Sequence, residues 1–146
     1  MTQAWQRGDY AISTERLRLN LEFIHDFLAN HSYWATGRSR AEVQRSIEHS
    51  LSFGLYKGEQ QIGFARVVTD YATFAWLADV FIIEEHRGQG LAKWLIEVIV
   101  SHHRLQGLRR WLLATKDAHG LYRRFGFVEL NETTRWMERF EPLEPR

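Results

Sequence analysis

Residues 78–103 contain a buried strand, a glycine-rich turn and a helix in immediate succession. The stretch from Ala78 to Ile83 is apolar apart from one aspartate, which is typical of a buried strand. From Leu91 onward, apolar residues recur at helical spacing, so one face of the predicted helix is apolar. A strand that leads directly into a helix indicates a domain that mixes the two kinds of element.

The turn between this strand and this helix runs from Arg87 to Ala92 and carries Gly88 and Gly90. Glycines let the backbone turn tightly and leave no side chain over the first helical N–H groups. Those groups and the helix dipole attract a phosphate or pyrophosphate, and Arg87 adds a positive charge. The local chemistry allows a turn without a ligand, a dinucleotide site or an acyl-CoA site. The dinucleotide pattern G-x-G-x-x-G is broken, because Lys93 stands where its third glycine belongs.

Two motifs favour the acyl-CoA interpretation. The residues Arg87-Gly88-Gln89-Gly90-Leu91-Ala92 resemble the R-x-x-G-x-G/A signature of the GNAT acetyltransferase superfamily. Downstream, Leu121-Tyr122-Arg123-Arg124-Phe125-Gly126-Phe127 resembles the LYxxxGF segment of the same family. Two motifs in the family's order are more specific than either one alone. The resemblance covers the chain from about Tyr10 to Phe140 and implies acetyl-CoA as co-substrate, with no metal.

The order of predicted elements also resembles the GNAT fold. The predicted elements are a strand at 10–14, helices after Asn20 and Ser39, strands at 53–57, 61–69 and 74–83, a helix from Leu91, a strand at 110–115, a helix at 118–125, and a closing strand pair at 127–130 and 134–140. Residues 1–9 are expected to be loosely held. The resemblance implies a mixed α/β fold of the α+β type, with a mostly antiparallel central sheet and flanking helices. Its middle strands, here 74–83 and 110–115, would splay apart around the pantetheine of the cofactor.

Length and composition restrict the class of protein. The 146 residues predict one domain, 1–146, with a core at about 10–140 and a tail at 141–146. A net charge of +1 gives no support for a nucleic-acid partner. The chain contains no cysteine, which excludes disulfides, thiolate metal sites and a cysteine nucleophile. The polar N-terminus and the lack of any long apolar run predict a cytoplasmic protein without a membrane partner.

The resemblance implies where the cofactor binds and which residue acts as the acid. Tyr122 occupies the position of the family's tyrosine near the cofactor sulfur, and a phenol stays protonated at neutral pH. Thr115 stands where many members carry an asparagine that contacts the cofactor, while Asp117 is the expected cap of the short helix. The expected cofactor-binding residues are Phe81, Ile82, Ile83, Arg87, Gly88, Gln89, Gly90, Leu91, Ala92, Lys93, Thr115 and Tyr122.

Asp79 is the second catalytic candidate, and its role stays open between two interpretations. It interrupts an apolar strand and should face opposite to both Ala78 and Val80. A lone carboxylate there needs water, a partner or a ligand, because an unpaired buried charge is costly. Asp79 is therefore either a general base or the partner of a structural salt bridge to Arg66. Trp76 stands where some family members carry a glutamate base.

The acceptor pocket is expected between the loop that joins the first two helices and the central strand. Its predicted substrate-binding residues are Tyr33, Trp34, Trp76 and Asp79. Aromatic rings around one carboxylate would suit a cationic amine, although aromatics at such positions more often fill a core. Arg38 would either bind a substrate carboxylate or pair with Glu42, and the pair is favoured.

Taken together, the residues and the resemblance predict an N-acetyltransferase. It would move an acetyl group from acetyl-CoA to a primary amine by direct transfer in a ternary complex. The acceptor would be a small-molecule or protein amine, and the protein a monomer or homodimer. The alternative is a non-catalytic module of the same fold that binds or senses acyl-CoA, or serves as an interaction partner.

Overall fold

A computed structural model describes residues 2–142 of the chain, and its six strands form a single sheet in chain order. The strands are β1 (Ala4–Arg7), β2 (Tyr10–Ser13), β3 (Leu51–Lys57), β4 (Gln60–Thr69), β5 (Phe74–Ile82) and β6 (Arg110–Leu112). The helices are α1 (Leu21–His31), α2 (Arg40–Glu48), α3 (Leu91–Val100) and α4 (His119–Arg123), with short 3-10 turns at Arg16–Arg18, Glu84–His86, His103–Leu105 and Thr133–Arg135. Strands β1 to β5 pair antiparallel with their neighbours, and only β5 and β6 pair parallel. The predicted mixed fold is therefore confirmed.

The helices begin where the sequence predicts. The side chain of Asn20 accepts a hydrogen bond from the backbone N–H of Phe23 at 3.0 Å, which caps α1. Ser39 and Glu42 form a complete capping box at the start of α2.

The two faces of the sheet are covered by different helices. On one face, α3 buries Leu95, Ile96 and Ile99 against strand residues such as Phe53. On the other face, α1 and α2 bury a separate apolar cluster that includes Phe81 of β5. Because both faces of the sheet are covered, successive side chains of β5 should point alternately into the two cores. A departure from this alternation moves a side chain from one core to the other.

Such a departure occurs in β5 at Asp79. The pairing of β4 with β5 shifts between Phe64 and Arg66, because β5 contains one residue more than β4 over this span. Asp79 adopts a φ of 56°, in the left-handed region, which is uncommon for a residue with a side chain. Arg66 is paired with Ala78, and its side chain also contacts Asp79. The bulge therefore places two successive side chains on one face, and the expectation that Asp79 faces away from Ala78 is wrong.

The parallel pairing of β5 with β6 ends early. It joins Phe74 to Arg110, Ala75 to Trp111 and Trp76 to Leu112. Beyond Trp76, β5 continues to Ile82 without β6 and stays paired only with β4. Residues 113–115, predicted as part of the strand, line a cavity instead. The two strands therefore separate in the region where a splay was expected.

Both ends of the chain differ from expectation. Ala4–Arg7, predicted to be loosely held, pairs with β2 as an edge strand. The predicted strands 127–130 and 134–140 are absent from the described part of the chain, which has the turn Thr133–Arg135 there. Phe127 packs against the main core, but several apolar side chains after it do not, since Met137 is 97% exposed and Val128 is 80% exposed. Of the predicted tail at 141–146, residues 143–146 lie outside the described residues.

The close contact between β4 and β5 at Gly63 allows a stability test. A Cβ atom added at Gly63 would lie 2.9 Å from the backbone oxygen of Phe81 and 2.9 Å from Cδ1 of Ile82. We expect Gly63→Ala to lower the free energy of unfolding by about 1–3 kcal/mol, because the backbone oxygen has little room to move. Gly120→Ala is the matched control, since its Cβ meets nothing within 4 Å and lies in helix α4. Equal unfolding free energies for the two variants in urea titrations would contradict this.

Candidate active site

The space left by the separation of β5 and β6 is a cavity of about 480 Å³. The segment between α1 and α2 lies on one side of this cavity, and the segment from β6 to α4 lies on another. The predicted site residues that line it are Tyr33, Trp34, Trp76, Asp79, Thr115 and Tyr122. All four predicted substrate-binding residues and both predicted catalytic residues thus share one cavity.

Tyr33 connects two walls of this cavity. Its hydroxyl accepts a hydrogen bond from the backbone N–H of Lys116 at 2.8 Å, and its ring lies 5.6 Å from the ammonium of Lys116. The same ring packs edge-on against Trp34, with centroids 5.1 Å apart. The loop before α2 is therefore joined directly to the segment that leads into α4.

Tyr122 enters the cavity from α4 and is 8% exposed. Burial, followed by the proximity of Tyr33 and Asp117, raises the pKa of Tyr122 to about 12. The phenol therefore keeps its proton throughout the neutral range. Its ring is held edge-on against Phe127, with centroids 5.9 Å apart. The second motif thus supplies the hydroxyl and also a residue that orients it.

Asp79 is bound by three donors. Its Oδ1 accepts from Trp34 Nε1 at 2.8 Å, and its Oδ2 accepts from Arg38 Nη1 at 2.8 Å and from Arg66 Nε at 2.6 Å. Burial raises the pKa of Asp79, but the charges of Arg66 and Arg38 and the hydrogen bonds outweigh it, so the pKa lies below its ordinary value. A carboxylate held this way stays ionised and is a weak base. The geometry favours the salt-bridge interpretation, with Arg38 as a second partner in addition to Arg66.

The glycine turn at the end of β5 has the backbone expected of an anion site. Gly88 and Gly90 adopt φ angles of 81° and 77°, and an added Cβ at either residue would meet nothing within 4 Å. Gly90 is the N-cap of α3 and supplies no side chain to the helix terminus. No side-chain cap therefore occupies the first N–H groups of α3, as a bound phosphate would require.

Contacts from a distant strand hold this turn in place. The Tyr10 hydroxyl lies 3.1 Å from His86 Nδ1 and donates to Gln89 Oε1 at 3.3 Å. Arg87 Nε donates to the backbone oxygen of Ile82 at 2.8 Å, so part of the guanidinium has a structural role. Neither Tyr10 nor His86 was identified from the sequence, because their contact joins residues far apart in the chain.

The other predicted cofactor-binding residues divide by exposure. Phe81 and Leu91 are buried in the two cores, as is Ile82, so their side chains contribute to packing. Ile83 and Ala92 are half-buried, and Lys93 is exposed. Thr115 Oγ1 accepts from the backbone N–H of Ala118 at 3.1 Å, so this threonine, not Asp117, holds the start of α4.

The positions of some other aromatic and charged residues relative to the cavity were not predicted from the sequence. Tyr56 and Tyr71 are outside the cavity, where Arg18 and Arg104 stack on their rings. Glu138, conversely, lines the cavity. No signal could have placed it there, since the segment was predicted as a closing strand.

In the part of the chain that the structure describes, no cluster of His, Cys, Asp or Glu side chains is arranged to hold a metal ion. Within the same residues, no helix combines the length and apolar character needed to cross a membrane.

Comparison with known proteins gives consistent matches. A family model described as the acetyltransferase (GNAT) family matches residues 19–127. A candidate acetyltransferase from Gibberella zeae is 32% identical over 66% of this chain, and the match spans 66% of that relative's length, just under two thirds. The solved structure of a candidate GNAT-family acetyltransferase from Xanthomonas campestris is 47% identical, covers 91% of this chain and 94% of its own, and superposes with a TM-score of 0.89.

A more distant structure shares the fold. A candidate acetyltransferase from Clostridium acetobutylicum, solved with acetyl-CoA, is 12% identical, covers 96% of each chain and superposes with a TM-score of 0.60.

Loss of the Asp79 carboxylate should destabilise the fold. We expect Asp79→Asn to lower the free energy of unfolding by about 3–5 kcal/mol, because the substitution leaves the Arg66 and Arg38 charges without their shared partner. Glu22→Gln is the control, since it removes a carboxylate from an exposed ion pair with Arg40 and should cost about 1 kcal/mol or less. Denaturant titration measures both, and an Asp79→Asn protein as stable as wild type would refute the structural role.

Proposed function

Since the chain belongs to the GNAT acetyltransferase family, we propose that it transfers an acetyl group from acetyl-CoA to a primary amine by direct attack in a ternary complex. The observation that carries this proposal is the position of Tyr122. The residue is buried and lines a cavity that opens where β5 and β6 separate, and the glycine turn follows at the end of β5. A proton donor, a cavity for two reactants and an anion site are thus arranged around a single strand.

The residues present fit acetyl-CoA. The open space at Gly88 and Gly90 and the uncapped start of α3 suit a pyrophosphate. The separated strands leave room for a narrow chain to pass between them. When bound, acetyl-CoA would supply the carbonyl carbon that the amine attacks and the thiolate that leaves.

The side chains that line the cavity would have different roles in this acetyl transfer. Tyr122 Oη carries a proton at neutral pH and can donate it, or a hydrogen bond, to a leaving sulfur. Asp79 is a positioning residue, because it holds Trp34 and Arg38 against the sheet. The protonated amine first loses one proton to water, and its nitrogen loses a second as the C–N bond forms and the C–S bond breaks. The sulfur gains a proton from Tyr122, which water then protonates again, and the amide keeps one N–H. No cysteine is available to carry an acetyl group, which supports direct attack.

The proposal can be tested by thermal denaturation with and without acetyl-CoA, followed by a thiol-release assay over a panel of amines. We expect a rise in Tm with acetyl-CoA and thiol release with some amines. A rise in Tm without release on any amine would favour the alternative, a non-catalytic acyl-CoA-binding module. No rise in Tm would contradict both. Initial-rate plots should intersect, and parallel double-reciprocal lines would exclude direct transfer.

The role of Tyr122 predicts a selective loss of rate. Tyr122→Phe should lower kcat by roughly 10²–10⁴-fold and leave the affinity for acetyl-CoA unchanged, since the hydroxyl matters chiefly in the transition state. Steady-state kinetics and a binding titration measure the two quantities. Tyr71→Phe removes a hydroxyl outside the cavity, from a residue in contact with Arg104, and is the control for the kcat effect. A wild-type kcat for Tyr122→Phe would assign protonation of the sulfur to water.

The glycine turn predicts a charge-dependent loss of binding. Gly90→Asp should abolish acetyl-CoA binding or raise its KM strongly, because a carboxylate at the start of α3 repels a pyrophosphate. Gly90→Asn is the matched control, since asparagine has nearly the same shape, tolerates a positive φ and carries no charge. We expect it to weaken binding less. Unchanged binding by a folded Gly90→Asp protein would place the cofactor elsewhere.

A further inference from the structure

The wall of the cavity formed by Arg38, Arg66 and Asp79 carries a net positive charge. Two guanidinium groups share one carboxylate, and both oxygens of that carboxylate already accept hydrogen bonds. The Asp79 side chain is 2% exposed, so it offers neither charge nor surface to a ligand. The sequence-based expectation of an aromatic cage around an anion therefore does not describe this wall, because two cations neutralise that anion and leave an excess.

The excess charge is accessible at Arg38. Arg66 is bound more completely, since its Nε donates to Asp79 and its Nη1 donates to Ser50 Oγ at 3.1 Å. The bond from Arg38 to Asp79 uses Nη1, and 21% of the Arg38 side chain remains exposed, against 14% for Arg66. A guanidinium is a planar fork with five N–H donors and can bind a carboxylate with two of them.

Acidic side chains also line the cavity. Asp117 lies close enough to Tyr122 to contribute to the raised pKa of the phenol, and both line the same cavity as Arg38. Glu138 also lines it, and both acids are exposed to solvent. The segment before α4 also carries Lys116, whose ammonium lies 5.6 Å from the Tyr33 ring. Among the residues that line the cavity, the basic side chains are Arg38 and Arg66, and the acidic ones besides Asp79 are Asp117 and Glu138. Trp34 and Trp76 provide apolar surface within it.

We propose that the acceptor is an amine that also carries a carboxylate, a compound of the amino-acid class, with its carboxylate on Arg38 and its amine directed towards Tyr122. This inference rests on the proposed function and specifies its substrate class. A carboxylate suits the wall better than a phosphate dianion, because the excess there is one positive charge. The volume of about 480 Å³ accommodates a small ligand of this kind beside the cofactor thioester.

The first test compares acceptors that differ only in the carboxylate. L-phenylalanine, L-phenylalaninamide and phenethylamine are assayed for thiol release, together with L-methionine and its amide. We expect kcat/KM for the acids to exceed that for the amides and the amine by ~10–100-fold, as a lost charged hydrogen bond implies. Arg38→Gln should remove this preference by raising KM for the acids while kcat changes little.

Two further variants make this result specific. Arg40→Gln is the matched control, because Arg40 is near in sequence but pairs with Glu22 on the surface and should leave the preference intact. Arg38→Lys keeps the charge and loses the fork, so its preference should lie between those of wild type and Arg38→Gln. If Arg38→Gln does not fold, the acceptor preference of Arg38→Lys still tests the role of Arg38.

A binding measurement separates failure of this inference from failure of the proposed function. 3-Phenylpropanoate, a carboxylate without an amine, is titrated into the protein without acetyl-CoA while tryptophan fluorescence is recorded. This signal should report binding, since Trp34 and Trp76 line the cavity. A saturable change in wild type and Arg40→Gln that is lost in Arg38→Gln supports the carboxylate site, whatever the outcome of the activity assay. No change in wild type, or the same change in Arg38→Gln, overturns it. Equal kcat/KM values of the wild-type protein for the amides and the acids would also overturn the carboxylate site, while the acetyltransferase proposal would stand.

Discussion

The buried carboxylate of Asp79 joins the segment between α1 and α2 to two neighbouring strands of the sheet. Trp34 and Arg38 come from the segment between α1 and α2, Arg66 comes from β4, and all three donate to one side chain on β5. Removing these charges from water offsets much of their mutual attraction. The cluster therefore contributes orientation more than net stability, because it fixes the loop before α2 over one face of the sheet.

The β-bulge is what allows this cluster to form. Strict alternation along β5 would direct Asp79 towards the face covered by α3, into an apolar core. The extra residue turns its side chain to the other face, where Arg66 already projects. The positive φ of Asp79 is a local cost that the three hydrogen bonds compensate. A strained backbone position and a neutralised charge are thus parts of one arrangement.

The separation of β5 from β6 is the second condition for a site. Parallel pairing ends at Trp76 and Leu112, and the next residues of both strands line the cavity. Tyr33 then closes one side by accepting a hydrogen bond from Lys116 across the opening. The cavity is bounded by contacts between the α1–α2 segment and the α4 segment, which are far apart in the sequence. Its charge distribution follows from that closure, since Arg38 arrives with one segment and Asp117 with the other.

Local signals in the sequence determined much of this protein. The caps at Asn20 and Ser39, the apolar face of α3 and the glycines at 88 and 90 each act within a few residues, and the structure confirms the elements they predict. Local signals failed where the outcome depends on a distant partner. Strands were predicted at 127–130 and 134–140, but Val128, Met137 and Phe140 stay exposed there and no strand pairing forms in the described residues. The strand at Ala4–Arg7 exists because β2 offers it an edge. For Asp79 the sequence left base and salt bridge open, and only the tertiary structure decided, because the bulge, the two arginines and Trp34 meet there through long-range contacts.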